Sequence, residues 1–186
     1  MHEGAVLEMK FLYYYINDYL KPSEIKKINS TFNKKSEKFT EQAPTLKTSK
    51  AVQMPYEEFK KIKDVNYDIL TINRAAYGFD IYESINDWVA QNTYKSTNKG
   101  EYQWHTDGGE YDKKFTTKLT TLINLSEKAY SGGKFLLFNN QPVEIKELNK
   151  PGSLVVFPSF ILHQITPVTR GTRISATLFK TGRWWQ

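Results

Sequence analysis

The 186 residues, 39% of them hydrophobic and 15% aromatic, suit one soluble globular domain able to fold without covalent staples, and exclude a disordered chain. The absence of cysteine excludes disulfides, Cys-ligated zinc, iron–sulfur clusters and thiol catalysis, so any metal must bind through His, Asp or Glu. A net charge of +6 admits an acidic partner, yet only four of the 26 basic residues are arginine (Arg74, Arg170, Arg173 and Arg183), and pairs such as Lys26-Lys27 and Lys60-Lys61 read as a solvated face.

The N-terminal stretch MHEGAVLEMKFLYYYIND carries early acidic residues and a short, tyrosine-rich apolar run, unlike a signal peptide or a membrane span; a cytoplasmic protein is expected. Phe11 to Tyr15 reads as a strand. Lys21-Pro22-Ser23-Glu24 then opens a helix through about Ser30, with Ser23 as N-cap and Ile25 and Ile28 on its apolar side. Residues 31–48 are polar and aperiodic and read as a loop. Over residues 56–77, Phe59, Ile62, Val65, Ile69, Ile72 and Ala76 recur at helical spacing, with a break near Asn66 and an end at Gly78. From Phe79 onward the texture changes to short β-like runs between turn residues: FDIYESI, DWVAQNTY, EYQWHTD, KLTTLINL, KFLLFN, PVEIKEL, SLVVF, ILHQIT and TRISATLF. This spacing predicts an all-β sandwich or barrel with the helices packed outside it.

The chain has three histidines, and one of them stands in YQWHTDGG. Residues i and i+2 of a strand share a face, so His105 and Asp107 present an imidazole and a carboxylate side by side. His2 sits at the terminus, which leaves His163 as the third donor. Two histidines and one carboxylate on one side of a metal form the facial triad typical of non-haem Fe(II) oxygenases. An isolated His-x-Asp is also common where histidine serves only as a hydrogen-bonded structural residue. Ten residues beyond His163 comes Arg173, after a turn over residues 166–171, and a hairpin there predicts Arg173 on the strand adjacent to His163. On that strand Arg173, Ser175 and Thr177 share one face and Ile174, Ala176 and Leu178 the other. Either that face is exposed, or a buried arginine requires an anion, from an internal Asp or Glu or from a dicarboxylate ligand that fits the guanidinium fork.

The ordered set Tyr94, Gly100 to Asp107, Ser131-Gly132-Gly133, Gly152 to Ser159, Leu162-His163 and Pro167 to Arg173 resembles the 2-oxoglutarate/Fe(II)-dependent dioxygenases, and within them the prolyl-4-hydroxylase-like and PKHD-type branch. The resemblance covers the second half of the chain; the first 90 residues agree only in being helix-rich. It implies a double-stranded β-helix (jelly roll, cupin-like) with N-terminal helices outside, and one domain over residues 1–186, with 1–90 as helical support and 91–186 carrying the catalytic motifs. It implies Fe(II) held by His105, Asp107 and His163. The far carboxylate of 2-oxoglutarate would go to Arg173, aided by Ser175, with Tyr94 on the cosubstrate side. By alternation on KLTTLINL, Thr121 or Ile123 would line the same pocket. Tyr102 and Phe179 would stand at the substrate mouth, and Trp104 would point away from the metal into the core. Gly108-Gly109 would let the chain turn sharply after the ligand.

The activity so implied is oxidative decarboxylation of 2-oxoglutarate to succinate and CO2 coupled to hydroxylation of an unactivated C–H bond, with O2 as cosubstrate and ascorbate as an optional reductant. The substrate implied is a peptidyl prolyl residue. Residues 80–94 and the polar loop 31–50 would form a mouth for the peptide. A nucleic-acid demethylase of the same superfamily is a second reading, disfavoured because only Lys180 and Arg183 add positive charge beyond Arg173. A jelly-roll binding module without catalysis is a third.

Overall fold

In the computed structural model the described residues are 12–34, 38–39, 46–82, 87–107 and 115–184. Phe11, His2 and the Gly108-Gly109 turn, together with residues 35–37, 40–45 and 83–86, lie outside them. The first strand, β1, is Tyr14–Ile16, and the first helix, α1, is Pro22–Lys34. Its start differs from the expected Ser23 cap. Pro22 takes the first helical position, where its fixed φ and missing N–H cost nothing, and the Lys21 N–H donates to Glu24 Oε2 at 2.7 Å.

The stretch read as a loop, residues 31–48, holds one further strand, β2 (Lys38–Phe39), and β3 (Lys50–Pro55) follows just beyond it. Helical spacing could not reveal β3, because KAVQMP is short and becomes a strand only by pairing with β4 (Trp88–Lys95). The expected break near Asn66 is present. It separates α2 (Tyr56–Lys60) from α3 (Asn66–Ile72), and one π-helical turn, Asn73–Tyr77, ends at Gly78 with φ 67°. Residues 79–82, expected to begin a strand, are irregular.

The remaining strands are β5 (Tyr102–His105), β6 (Phe115–Asn124), β7 (Ser131–Gly132), β8 (Phe135–Asn139), β9 (Gln141–Glu144), β10 (Leu154–Pro158), β11 (His163–Ile165), β12 (Val168–Arg170) and β13 (Thr172–Arg183). They form a seven-stranded major sheet in the order β1-β10-β6-β13-β4-β3-β2, a four-stranded minor sheet β5-β11-β8-β9, and a ribbon of β12 with β7. Every pairing is antiparallel. The two sheets face each other as a jelly roll, the fold that the strand spacing and the resemblance predict.

Alternation divides the major sheet between two cores. Leu119 and Ile123 of β6, Leu154 and Val156 of β10, and Ala176 and Leu178 of β13 face outward onto Ile25, Ile28 and Phe32 of α1, Phe59 of α2 and Ile69 of α3. Leu122, Val155, Phe157 and Tyr94 face inward, against Phe135, Leu137 and Ile165 of the minor sheet. Residues of the helices and of the major sheet thus share one apolar cluster. Ile28, fully buried, sits in the middle of α1 against that sheet. Ile28→Ala is expected to lower the unfolding free energy by about 2 to 5 kcal/mol, measured by urea denaturation with an unchanged m value.

A candidate metal and dicarboxylate site

Antiparallel pairing of β5 with β11 sets His163 directly opposite His105, and the two rings lie 4.1 Å apart between centroids. Asp107 follows just beyond the end of β5, tied by its N–H to the Ser159 carbonyl at 2.9 Å in the turn that leads to β11. One donor atom from each of these three side chains lies within 4.8 Å of the others. His163 Nε2 is 3.2 Å from Asp107 Oδ2, and His105 Nε2 is 3.6 Å from Oδ1. Among the described residues this is the one His/Asp/Glu group of that kind.

The local hydrogen bonds define what each ring can do. His105 Nδ1 stands 2.7 Å from the Gln103 carbonyl and His163 Nδ1 2.8 Å from the Ile161 carbonyl. A carbonyl only accepts, so each Nδ1 carries the proton and donates it, and in the neutral ring Nε2 keeps a lone pair. Two lone pairs and a carboxylate then converge with nothing between them to donate. Either imidazolium protons or a cation must satisfy the cluster, and a divalent ion meets all three donors at once. Burial by itself would raise the Asp107 carboxyl, but the hydrogen bonds and charges of His105 and His163 outweigh it and hold the group well below the usual carboxylate range. The Thr120 hydroxyl donates to Asp107 Oδ2 at 2.8 Å and stands 3.1 Å from Ser159 Oγ, so its one proton goes to the carboxylate while Ser159 supplies the other hydrogen bond.

The imidazoles border a cavity of about 460 Å3 between the two sheets, walled by Leu122, Phe135 and Ile165 and by the polar side chains of Asn92, Ser175 and Thr177. Behind two of the lining residues, Ser175 and Tyr94, lies Arg173, 1% exposed and the largest fully buried side chain described. Its Nη1 donates to Ser175 Oγ at 3.0 Å, and its Cζ is 5.5 Å from the ring centre of Tyr94, its cross-strand partner. No described Asp or Glu pairs with it. A buried guanidinium so supplied with donors and so short of anions could take a carboxylate in paired charge-assisted hydrogen bonds.

Three placements differ from expectation. Arg173 is not on a strand adjacent to His163: β13 runs in the major sheet between β4 and β6, while β11 belongs to the minor sheet. The reason is the intervening β12, which pairs with β7 and carries the chain around the corner from one sheet to the other. His163 and Arg173 therefore approach the cavity from opposing sheets. Thr121, expected to line the pocket, lies on the other face of β6, where its cross-strand partners are Val156 and Leu178 of the helix-side core. Ile123 shares that face. Leu122 and Thr120 face the site instead, and Thr117 joins the cavity wall because a bulge at the β6–β13 pairing resets the alternation. Each side of this strand mixes threonine with leucine, Thr120, Leu122 and Asn124 on one and Leu119, Thr121 and Ile123 on the other, so no local signal selects the inner one. Trp104 is half-buried on the outer face of the minor sheet, edge-on to Phe138, rather than in the core.

Tyr102 and Phe179 both border the cavity. The Tyr102 ring stacks on His105 at 3.4 Å, with Lys47 Nζ 4.7 Å from its centre, and Phe179 is 39% exposed. Lys47, which also donates to Asn92 Oδ1 at 2.9 Å, went unnoticed in the sequence, because only its bridge to Tyr102 brings it to the cavity.

Residues 90–180 match the family model described as the 2OG-Fe(II) oxygenase superfamily. A PKHD-type hydroxylase of Shewanella oneidensis is 40% identical over 67 residues, which are 34% of this chain; the chain spans about 28% of the length of that curated relative. The fold superposes on a prolyl-4-hydroxylase from Pseudomonas putida with a TM-score of 0.72 at 16% identity, covering 95% of both chains. It also superposes on a prolyl hydroxylase from Trichoplax adhaerens, solved in complex with a hypoxia inducible factor oxygen degradation domain peptide fragment, with a TM-score of 0.70 at 17% identity, covering 92% of this chain and 84% of that one. The matched residues contain the triad, the buried arginine and the strands that bring them together; the curated relatives they resemble are PKHD-type hydroxylases, and the chain belongs to the 2OG-Fe(II) oxygenase superfamily, whose cofactors are Fe(II), 2-oxoglutarate and O2.

Proposed function

We propose that the protein is an Fe(II)- and 2-oxoglutarate-dependent dioxygenase that hydroxylates an unactivated C–H bond of a peptidyl prolyl residue. The carrying observation is that two imidazole Nε2 atoms and one carboxylate converge within 4.8 Å beside a cavity whose wall residues Ser175 and Tyr94 touch a buried arginine without an acidic partner among the described residues. In this reading residues 1–186 act as one oxygenase domain in the cytoplasm, with the helices backing the major sheet.

His105, Asp107 and His163 would hold Fe(II), while Arg173 and Ser175, beside Tyr94, would take the far carboxylate of 2-oxoglutarate. Bound there, the iron supplies O2 activation, and the overall balance is R–H, 2-oxoglutarate and O2 giving R–OH, succinate and CO2. The chain's own part is to bind and orient. Carbonyl-anchored Nδ1 atoms aim both imidazoles, Thr120 holds the carboxylate, and Leu122, Phe135 and Ile165 keep the cavity dry. Tyr102 and Phe179 would flank the substrate. By strand alternation Trp88, 48% exposed, stands on the same face of the major sheet as Phe179 and extends an aromatic wall suited to a proline ring. The peptide in the Trichoplax adhaerens neighbour supports a peptide substrate here.

Purified protein given Fe(II), 2-oxoglutarate and O2 is expected to release succinate slowly without substrate, and His163→Ala to abolish release; an iron-loaded wild type that forms no succinate would point to a binding module. Proline-containing peptides should gain 16 mass units by mass spectrometry, whereas loss of methyl groups from methylated oligonucleotides instead would transfer the assignment to the demethylase reading. Thr120→Val, which keeps the volume and deletes the hydroxyl, is expected to weaken Mn(II) binding by about tenfold to a hundredfold in calorimetry with the fold intact.

A further inference from the structure

Arg173 is held by few polar contacts for a side chain of its size, and what locates it is the packing along its stem. Five N–H donors leave its guanidinium, and one of them reaches a described side chain, Ser175 Oγ at 3.0 Å. The aliphatic stem runs against Gly133, at the turn between β7 and β8. A Cβ built on Gly133 would lie 2.9 Å from Arg173 Cδ, 3.0 Å from Val168 Cγ2 and 3.4 Å from Tyr130 Cε2. Carbon atoms rest at about 3.5 to 4.0 Å, so the stem would have to retreat by roughly half an ångström or more.

The backbone of the turn has little freedom to give way instead. The Gly133 N–H donates to the Pro167 carbonyl at 3.0 Å, Lys134 N–H to Thr166 Oγ1 at 2.9 Å, and Thr166 N–H to the Lys134 carbonyl at 2.9 Å. Cδ is one bond from the guanidinium, so a displacement there passes directly to the charged fork.

We infer that Gly133 is a positioning residue for the dicarboxylate pocket: its bare Cα is the seat of the Arg173 stem and so determines where the guanidinium presents its donors to the far carboxylate of the cosubstrate. This rests on the cosubstrate role proposed for Arg173. Gly133 also has a positive φ of 58°, so an alanine there is strained whatever it touches. Gly78 separates the two effects, since it has φ 67° with nothing within 4 Å of a built Cβ.

The test uses the full chain loaded with Mn(II) under anaerobic conditions, with 2-oxoglutarate and Mn(II) affinities measured by calorimetry and stability by thermal unfolding. Gly133→Ala is expected to weaken 2-oxoglutarate binding about tenfold, with a matching rise in KM for 2-oxoglutarate, kcat little changed and Mn(II) affinity within about twofold, corresponding to roughly 1.4 kcal/mol of lost binding. Gly78→Ala should lower the melting temperature and leave 2-oxoglutarate binding as in wild type. In an Arg173→Ala background, Gly133→Ala should have no further effect on 2-oxoglutarate affinity. A folded Gly133→Ala that binds 2-oxoglutarate like wild type overturns the inference, as does a loss that persists undiminished without Arg173. If Gly133→Ala is too unstable to titrate, the same cycle is read in melting temperature: alanine at 133 should cost less once Arg173 is truncated, and an equal cost overturns the seat. An Arg173→Ala single variant that binds 2-oxoglutarate normally instead sinks the cosubstrate role, a result distinct from either.

Discussion

The site depends on a single cross-strand register, His163 opposite His105 in the antiparallel pairing of β5 with β11. Side chains alternate with a period of two, so a slip of one residue in either strand would send one imidazole to the outer face of the minor sheet and leave the other alone in the cavity. The register is held from several sides. Phe135 and Phe157 pack edge-on against the His163 ring, at 5.8 and 4.9 Å, and Tyr102 stacks on His105. The chemistry is thereby built into the apolar core between the sheets, and the stability of that core and the geometry of the donors are one constraint.

Charge is arranged with the same economy. The cavity has an anionic group at Asp107 in its lining and a cationic one at Arg173 behind it, and each is stabilised by different means. Asp107 leans on two imidazoles and the Thr120 hydroxyl, whereas Arg173 has a serine, an aromatic ring and tight packing. Burying either charge alone is costly, and in the proposed function a cation and a dicarboxylate would compensate the two together. The opposing sheets supply one pole each: the minor sheet and its approach turn bring the metal donors, and the major sheet brings the arginine. The corner strand β12 is what lets residues ten apart in sequence serve the two poles from opposite sides.

Much of this was legible in the chain before any coordinates. The strict alternation of Arg173, Ser175 and Thr177 against Ile174, Ala176 and Leu178 announced a strand buried on both sides, and the His105-x-Asp107 spacing announced two donors on one side. The lack of cysteine restricted the third donor to a short list. The break near Asn66 and the stop at Gly78 were equally plain, because helical periodicity and the left-handed C-cap are local properties. The helical support, by contrast, was readable only as helices; that they share a core with Leu119, Ile123 and Leu154 is a matter of packing.

What the amino-acid order determined by itself was therefore chemical type and local periodicity: which groups exist, which side of a strand each occupies relative to its neighbours, and the family those groups resemble. Tertiary structure alone decided which side is the inside. Thr121 and Thr120 are indistinguishable by type, and only the placement of β6 between β10 and β13 turns Thr120 toward Asp107 and Thr121 toward the helices. It likewise decided that β3 is a strand, that Lys47 reaches the cavity, and that His163 and Arg173 face each other from separate sheets instead of lying side by side. These outcomes depend on contacts between residues distant in sequence, and local propensity carries no record of such contacts.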